Sequence, residues 1–341
     1  MDVLVVGGTR YMGRMLVQAL LERGDGVTVF SRGNTRPDWW DDVAHVTGDR
    51  HDADGFIEKL RGRRFDAVID TQAYKKEDVE SASEAFKGSV GRYVMVSTGS
   101  VYLDCKLDTA NHCPFEESDV SWDSLDYTYP KGEDPYGVGK RHCEKWLREN
   151  GEVPYTIVRI PAVMGWDDPT GRMWWWVQRA LDGGAVVIPS ERRAVFRTLY
   201  SGDAANAFIR VIDSDAAENE VYHIAMQEIM TLERWTSLLW AAAGHESEIA
   251  YVSDEVIQRQ EGLEDHIPPL ARPVPSIYNL SRAERDFGFS TTPVEEWVPT
   301  TVAWYHDQYQ GDESQGYSHR TNELSLAARW RDSFSTLKSR F

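Results

Sequence analysis

The chain has 341 residues, with 37 Lys plus Arg against 55 Asp plus Glu, for a net charge of −18. Such acidity repels phosphate backbones and anionic lipid and argues against nucleic-acid and membrane partners. A 41% apolar fraction excludes a disordered chain, and the length predicts two domains or one domain with an appended lobe.

Nine of the basic residues are lysines, and acid excess with scarce lysine fits either a high-salt habitat or drift toward arginine. Cys105, Cys113 and Cys143 are odd in number and form no CxxC pair, which predicts free thiols in a reducing, cytoplasmic setting. His112-Cys113 and His142-Cys143 match no zinc spacing, so no metal is expected. The chain opens directly on Val3-Leu4-Val5-Val6 without a basic leader, and no apolar run nears membrane-spanning length, so neither a secretory signal nor a membrane span is expected.

In chain order, residues 3–6 read as a strand buried on both faces. Residues 12–21 read as a helix ending near Gly24, with Met15, Leu16, Ala19 and Leu20 at helical spacing. Strands follow at 27–30, 44–47, 65–70, 92–97 and 155–160, with helical stretches between several of them. This alternation predicts an α/β fold: a Rossmann-like, doubly wound parallel sheet with a smaller C-terminal substrate-binding lobe. Beyond it, helices are expected at 174–181, 232–243 and 294–305, a strand at 221–225 and a loop at 267–275. The domain expectation is 1–165 for the dinucleotide-binding part, with 198–225 returning to it. Residues 166–197 and 226–310 form the lobe, and 311–341 a tail that is helical from about 322. That tail should pack, since Leu324, Leu326, Ala327 and Trp330 would otherwise be exposed.

The strongest local signal is Val5-Val6-Gly7-Gly8-Thr9-Arg10-Tyr11-Met12-Gly13, between the first strand and first helix. Glycines there let the backbone approach a pyrophosphate facing the helix N-terminus. Gly7, Thr9, Arg10, Tyr11, Met12 and Gly13 are therefore candidate cofactor contacts. The second strand ends in Phe30-Ser31-Arg32-Gly33, where an acidic residue would hold a ribose 2′-hydroxyl and an arginine a 2′-phosphate. Ser31 and Arg32, with Arg10 in reach, favour NADP, with NAD as the alternative. Asp49 and Arg50 follow the third strand, and Asp49 is placed to accept from an adenine amino group.

Tyr136 and Lys140 stand four apart and share one helix face. Tyrosine, with an ordinary pKa of about 10, is a poor base at neutral pH, and an adjacent cation favours its phenolate. Trp174-Trp175-Trp176 cannot share one helix face, so at most one or two could stack on a sugar ring, and packing is the expected role.

Together these features resemble the short-chain dehydrogenase/reductase superfamily, in its extended branch of NAD-dependent epimerases and dehydratases. The glycine turn, Ser97-Thr98-Gly99-Ser100-Val101-Tyr102, Tyr136 with Lys140, and Arg159-Ile160-Pro161-Ala162-Val163-Met164-Gly165 occur in that family's order. Arg272-Pro273, Asn279-Leu280-Ser281-Arg282-Ala283 and Phe287-Gly288-Phe289 look like its closing segment, and the resemblance covers roughly residues 1–310. It implies that Thr98 hydrogen-bonds the reacting oxygen, Tyr136 is the general acid/base and Lys140 its partner, also binding ribose. Thr71, Pro161 and Val163 would lie along the nicotinamide and its ribose. Ser100, Arg197 and Arg272 would meet the substrate, a sugar or nucleotide sugar. A homodimer through a four-helix contact is also implied.

Three departures shape the expectation. Arg10 replaces the middle glycine, as in an atypical subgroup that includes chloroplast stem-loop-binding proteins, so a non-catalytic, RNA-associated binding protein is the alternative. Gly99 and Ser100 stand where sugar-nucleotide dehydratases carry Asp-Glu, against dehydration, and Ala162 stands where many epimerases carry asparagine. The 38 positions from Thr98 to Tyr136 exceed the family's usual spacing, and the insertion this implies, running through Asp119 and Tyr129, is expected to shape or cover the pocket.

Overall fold

The computed structural model describes residues 1–102, 113–120, 122 and 125–338, with side chains as far as residue 333. Cys105, His112 and the centre of the insertion lie outside these. The chain divides into two compact units. The first comprises Met1–Val163, Thr198–Gln227 and Tyr278–Thr291; the second comprises Met164–Arg197, Glu228–Ile277 and Thr292–Phe341. The expectation had left 278–291 in the lobe. These residues instead join the sheet unit, because Leu280 and Tyr278 fill an apolar cluster with Val101, Tyr102 and Phe115, while Ala283 and Phe289 enter the main core.

The first unit is built on seven parallel strands. β1 (Asp2–Val6), β2 (Gly26–Ser31), β3 (Ala44–Thr47), β4 (Phe65–Asp70), β5 (Val90–Thr98) and β6 (Tyr155–Ile160) are joined at the edge by the strand Glu220–His223. From that edge the order is Glu220–His223, β6, β5, β4, β1, β2, β3. The connection reverses between β1 and β4, where a crevice opens at the carboxyl ends of the strands. β1 shows why such strands are apolar throughout: Val3 and Val5 pack into one core cluster and Leu4 and Val6 into the other. Helix α1 (Tyr11–Arg23) and the helix Ser201–Asp213 cover the first face. On the other lie α2 (Ala53–Leu60), α3 (Lys76–Phe86) and α4 (Pro135–Asn150).

In the second unit, the strands Val186–Pro189 and Ile249–Val252 pair in parallel. The tail forms the helix Arg320–Lys338, two residues earlier than expected. Its Glu323 accepts from Arg179 Nε at 3.0 Å and from the Val187 N–H at 3.1 Å. Leu326 and Ala327 are buried, whereas Leu324 remains exposed. Among the described residues no helix is long and apolar enough to cross a membrane, and no cluster of His, Cys, Asp and Glu could hold a metal.

A buried polar network ties β5, β6 and the edge strand together. His223 is fully buried; its Nδ1 faces the Asn279 carbonyl at 3.1 Å and its Nε2 the Tyr102 hydroxyl at 2.5 Å. Nδ1–H therefore donates to the carbonyl, while the Tyr102 hydroxyl meets both Nε2 and the Glu116 carbonyl, the latter at 3.0 Å; burial keeps the ring neutral, so Glu117, 3.6 Å away, is not its ion partner. Burial, aided by Arg159, pushes its pKa down from 6.5 to about 3. An imidazole charged more readily unfolded than folded favours folding fully above pH 6.5 and withdraws that support as pH falls toward 3. At pH 5 the loss is about 2 kcal/mol. The variant His223→Gln should lose less stability between pH 7 and pH 5 than the parent, read by urea unfolding at both values. Equal losses would refute the assignment.

Candidate functional site

The crevice begins at the glycine turn. Gly7 has φ +98°, and a Cβ there would collide with Thr71 Oγ1. Thr71 is fixed in turn, its hydroxyl donating to the Val6 carbonyl at 2.8 Å. A Cβ on Gly13 would sit 2.9 Å from Gly8 Cα, so helix α1 starts against the turn itself. Arg10 is the N-cap of α1 but makes no side-chain cap, and no acidic residue stands in the first turn. A helix start with neither a side-chain cap nor an acidic residue in its first turn suits a phosphate.

Around it, Arg10 Nε donates to Thr35 Oγ1 at 3.2 Å, which carries this arginine toward the segment after β2. Arg32 is exposed there, and Ser31 Oγ accepts from the Gly33 N–H at 3.3 Å. Asp49 is exposed after β3, with Oδ1 accepting from the His51 N–H at 3.0 Å. Thr9, Tyr11 and Met12 are half-buried at the start of α1.

Arg50 is a correction. Its guanidinium is buried behind the crevice, donating to Asp70 Oδ2 at 2.9 Å, to Ser81 Oγ at 3.0 Å and to the Asp78 carbonyl. Burial opposes its charge, but Asp70 outweighs this and raises its pKa. An arginine held by three partners inside the protein is a brace, not a ligand contact.

Thr98 ends β5, where it pairs with Ile160 of β6. Its Oγ1 accepts from the Ser100 N–H at 3.1 Å, which leaves the hydroxyl hydrogen to donate. Pro161 follows β6, half-buried, and Val163 is buried. Helix α4 starts with Asp134 accepting from the N–H groups of Tyr136 and Gly137. A Cβ on Gly137 would lie 2.8 Å from the Ser100 carbonyl, so the helix abuts the segment after Thr98. Tyr136 is 43% exposed, whereas Lys140 is 1% exposed, with Nζ donating to the carbonyls of Ala73 at 2.6 Å and Val96 at 2.7 Å. Burial lowers the Lys140 pKa. The ammonium stands 5.8 Å from the Tyr136 ring centroid.

The fold therefore gathers Gly7, Thr71, Thr98, Ser100, Tyr136, Lys140 and Pro161 at the carboxyl ends of β1, β4, β5 and β6. Arg197 and Arg272 lie in the second unit, on neighbouring extended segments joined by hydrogen bonds from Ala194 N to Arg272 O and from Arg197 N to Ser276 O. Trp175 and Trp176 are buried there, and Trp174 stacks on Tyr305 with centroids 5.4 Å apart. Tyr74, whose ring lies beside Lys140, gave no sequence signal; only its place just after β4 hinted at the crevice.

A parallel sheet in this order, with a glycine turn opening a helix at the switch point, defines a dinucleotide-binding α/β protein. More narrowly, the chain belongs to the NAD dependent epimerase/dehydratase family, whose model matches residues 3–225, within the short-chain dehydrogenase/reductase superfamily. It is 28% identical over 244 residues to the chloroplast stem-loop binding protein of 41 kDa b of Arabidopsis thaliana. That match covers 68% of this chain and 60% of the relative. It is 26% identical over 230 residues to 2′-dehydrokanamycin reductase of Streptomyces kanamyceticus, covering 65% and 61%. The chain thus spans about three fifths of each curated relative. UDP-glucose 4-epimerase of Thermotoga maritima, solved with UDP-glucose, superposes with a TM-score of 0.69 at 20% identity, covering 90% of this chain and 99% of that one. The Thermus thermophilus UDP-glucose 4-epimerase complex with NAD gives 0.63 at 19% identity, covering 91% and 100%. These two likenesses concern the fold.

Proposed function

We propose that the protein is an NAD(P)-dependent oxidoreductase or epimerase acting at a secondary hydroxyl or ketone of a sugar, nucleotide sugar or related polyol. The observation that carries this reading is the buried Lys140 ammonium, pinned by two carbonyls at the strand ends and turned toward the exposed Tyr136. A bound nicotinamide supplies the acceptor and donor of hydride. The cradle fits it: Gly7 and Gly13 let the turn close tightly against Thr71 and Gly8, and the uncapped start of α1 supplies N–H donors for a pyrophosphate. Thr9, Tyr11 and Met12 would continue that contact, Thr71 would adjoin the ribose, and Pro161 and Val163 would flank the nicotinamide ring. In the oxidative direction Tyr136 takes the substrate hydroxyl proton as hydride leaves the same carbon; in reduction it returns that proton to the oxygen. Thr98 donates to that oxygen, and the Lys140 charge favours the Tyr136 phenolate. Ser100 lies beside the reacting centre, and Arg197 and Arg272 suit a substrate phosphate.

Thermal-shift and absorbance titrations with NAD and NADP test the reading; binding of neither would overturn it. UDP-, GDP- and dTDP-sugars set against free sugars then identify the substrate. Within this proposal NADP is preferred, through Ser31, Arg32 and Arg10 around the 2′-phosphate, while Asp49 accepts from the adenine. Arg32→Ala should weaken NADP binding by roughly 10- to 100-fold and NAD binding by less than about threefold, since one charge-assisted hydrogen-bond set is lost. Equal effects on both cofactors, measured by calorimetry, would remove Arg32 from that role.

The resemblance to the stem-loop binding protein favours a second reading, a dinucleotide-regulated, RNA-associated protein without turnover. The net charge of −18 and the Tyr136–Lys140 pair count against it. RNA retention on a filter at low salt, without redox turnover, would reverse the ranking. The family likeness also implies a homodimer, which sedimentation equilibrium would test.

A further inference from the structure

Lys140 carries three ammonium hydrogens, and two are placed on the Ala73 and Val96 carbonyls. What Nζ meets beyond these is aromatic. It stands 4.6 Å from the centroid of Tyr74 and 5.8 Å from that of Tyr136, and the two rings lie 6.1 Å apart at 49°. Among the described residues no carboxylate comes within ion-pair distance of it. The charged and titratable groups facing it are Cys143 and Glu144 on its own helix, Asp70 at the end of β4 and Asp78 on α3. Each carboxylate is committed elsewhere. Asp70 accepts from Arg50 and Tyr93, and Glu144 from Arg159 and Ser97. Asp78 accepts from the N–H groups of Tyr74 and Lys75 at 2.8 and 3.0 Å. A buried ammonium without a carboxylate partner is costly unless something else stabilises its charge, and a ring face at this distance does so.

The Tyr74 ring is held there by its backbone. Asp78 fixes the Tyr74 N–H, and the Tyr74 carbonyl packs so closely on α4 that a Cβ at Gly139, one residue before Lys140, would collide with it. Glycine at position 139 thus allows the helix carrying Tyr136 and Lys140 to touch the segment carrying Tyr74.

We propose that Tyr74 is a positioning residue for the Tyr136–Lys140 pair, its ring face keeping the Lys140 ammonium charged and directed at Tyr136. The proposal rests on the catalytic reading of that pair. It assigns the work to the ring and not to the hydroxyl, which separates it from a hydrogen-bonding role.

The test is a lysine titration on the intact protein carrying 13Cε-labelled lysine, with the Lys140 resonance assigned by its loss in Lys140→Met. In Tyr74→Phe, which keeps the ring, the Lys140 midpoint stays within about 0.2 pH unit of the parent. In Tyr74→Leu it falls by about half to one and a half pH units, and the alkaline limb of turnover moves down with it. Tyr74 is 37% exposed, so leucine there opens no closed cavity and the variant is expected to fold. An unshifted midpoint in Tyr74→Leu overturns the proposal, as does a fall in Tyr74→Phe as large as in Tyr74→Leu. The titration needs neither cofactor nor substrate. A protein that binds no dinucleotide would defeat the catalytic reading, whereas a catalyst whose Lys140 ignores Tyr74 would defeat this proposal alone.

Discussion

Replacing Tyr136 with phenylalanine is expected to lower turnover by roughly 10²- to 10⁴-fold, the usual worth of a positioned general acid/base, while dinucleotide affinity changes by less than about twofold. The asymmetry follows from the geometry. Tyr136 is 43% exposed on the crevice side of α4, so loss of its hydroxyl empties no core. The cofactor contacts proposed above come from the turn after β1, the ends of β2, β3, β4 and β6, and Lys140. Lys140 keeps both its carbonyl anchors when the phenol is gone. The comparison with Lys140→Met is informative, because that change removes the charge beside Tyr136 and both hydrogen bonds to the Ala73 and Val96 carbonyls. It should therefore reduce turnover and cofactor binding together. Initial rates on the active sugar and calorimetry with the dinucleotide separate the two. Undiminished turnover in Tyr136→Phe would remove the tyrosine from the chemistry.

The second large effect is on stability. Arg159 and Glu144 are both fully buried and pair through two contacts, Nε to Oε1 at 3.0 Å and NH2 to Oε2 at 2.6 Å. Arg159 also donates to the Tyr102 hydroxyl at 2.6 Å and the Glu117 carbonyl at 2.8 Å, and Ser97 Oγ donates to Glu144 at 2.5 Å. Burial works against the Arg159 charge, but Glu144 and Tyr102 outweigh it and raise its pKa. Glu144→Leu or Arg159→Met leaves one charge buried without its partner, at a cost of about 3–5 kcal/mol. The double variant Glu144→Leu with Arg159→Met leaves no such charge and should cost clearly less than the sum of the singles, with a coupling of about 0.5–3 kcal/mol. Urea unfolding of the four proteins measures this. Single variants within about 1 kcal/mol of the parent, or strict additivity, would show that the pair carries no such burden. Because Ser97 precedes Thr98 and Glu144 lies one turn beyond Lys140, the same pair also braces the strand and helix that bear the proposed catalytic groups.

Much of the first unit was legible in the sequence, for local reasons. β1, β3, β4 and β6 fall where short β-rich runs between turn signals put them; β1, buried on both faces from Val3 to Val6, is apolar at each of those positions. The glycine turn is readable because Gly7 and Gly13 answer to backbone geometry a few residues away. The Tyr136–Lys140 spacing is readable because a helix places residues four apart on one face. Arg50 was misjudged for a matching reason: its place after β3 suggests the crevice, but Asp70, 20 residues on, and Ser81, 31 residues on, draw the guanidinium inside. Residues 278–291 look continuous with the lobe in sequence, yet their apolar side chains belong to the core of the sheet unit.

The sequence by itself therefore determined the sheet's strands, the glycine turn and the pairing of a tyrosine with a lysine, all set by periodicity and by backbone constraints over a turn or two. The tertiary structure alone decided what Lys140 touches. Its carbonyl anchors lie 67 and 44 residues away, and the ring beside it belongs to Tyr74. Such contacts exist only once the ends of β4 and β5 and the start of α4 have been brought together. What surrounds a buried charge follows from where distant segments pack, and no local pattern encodes it.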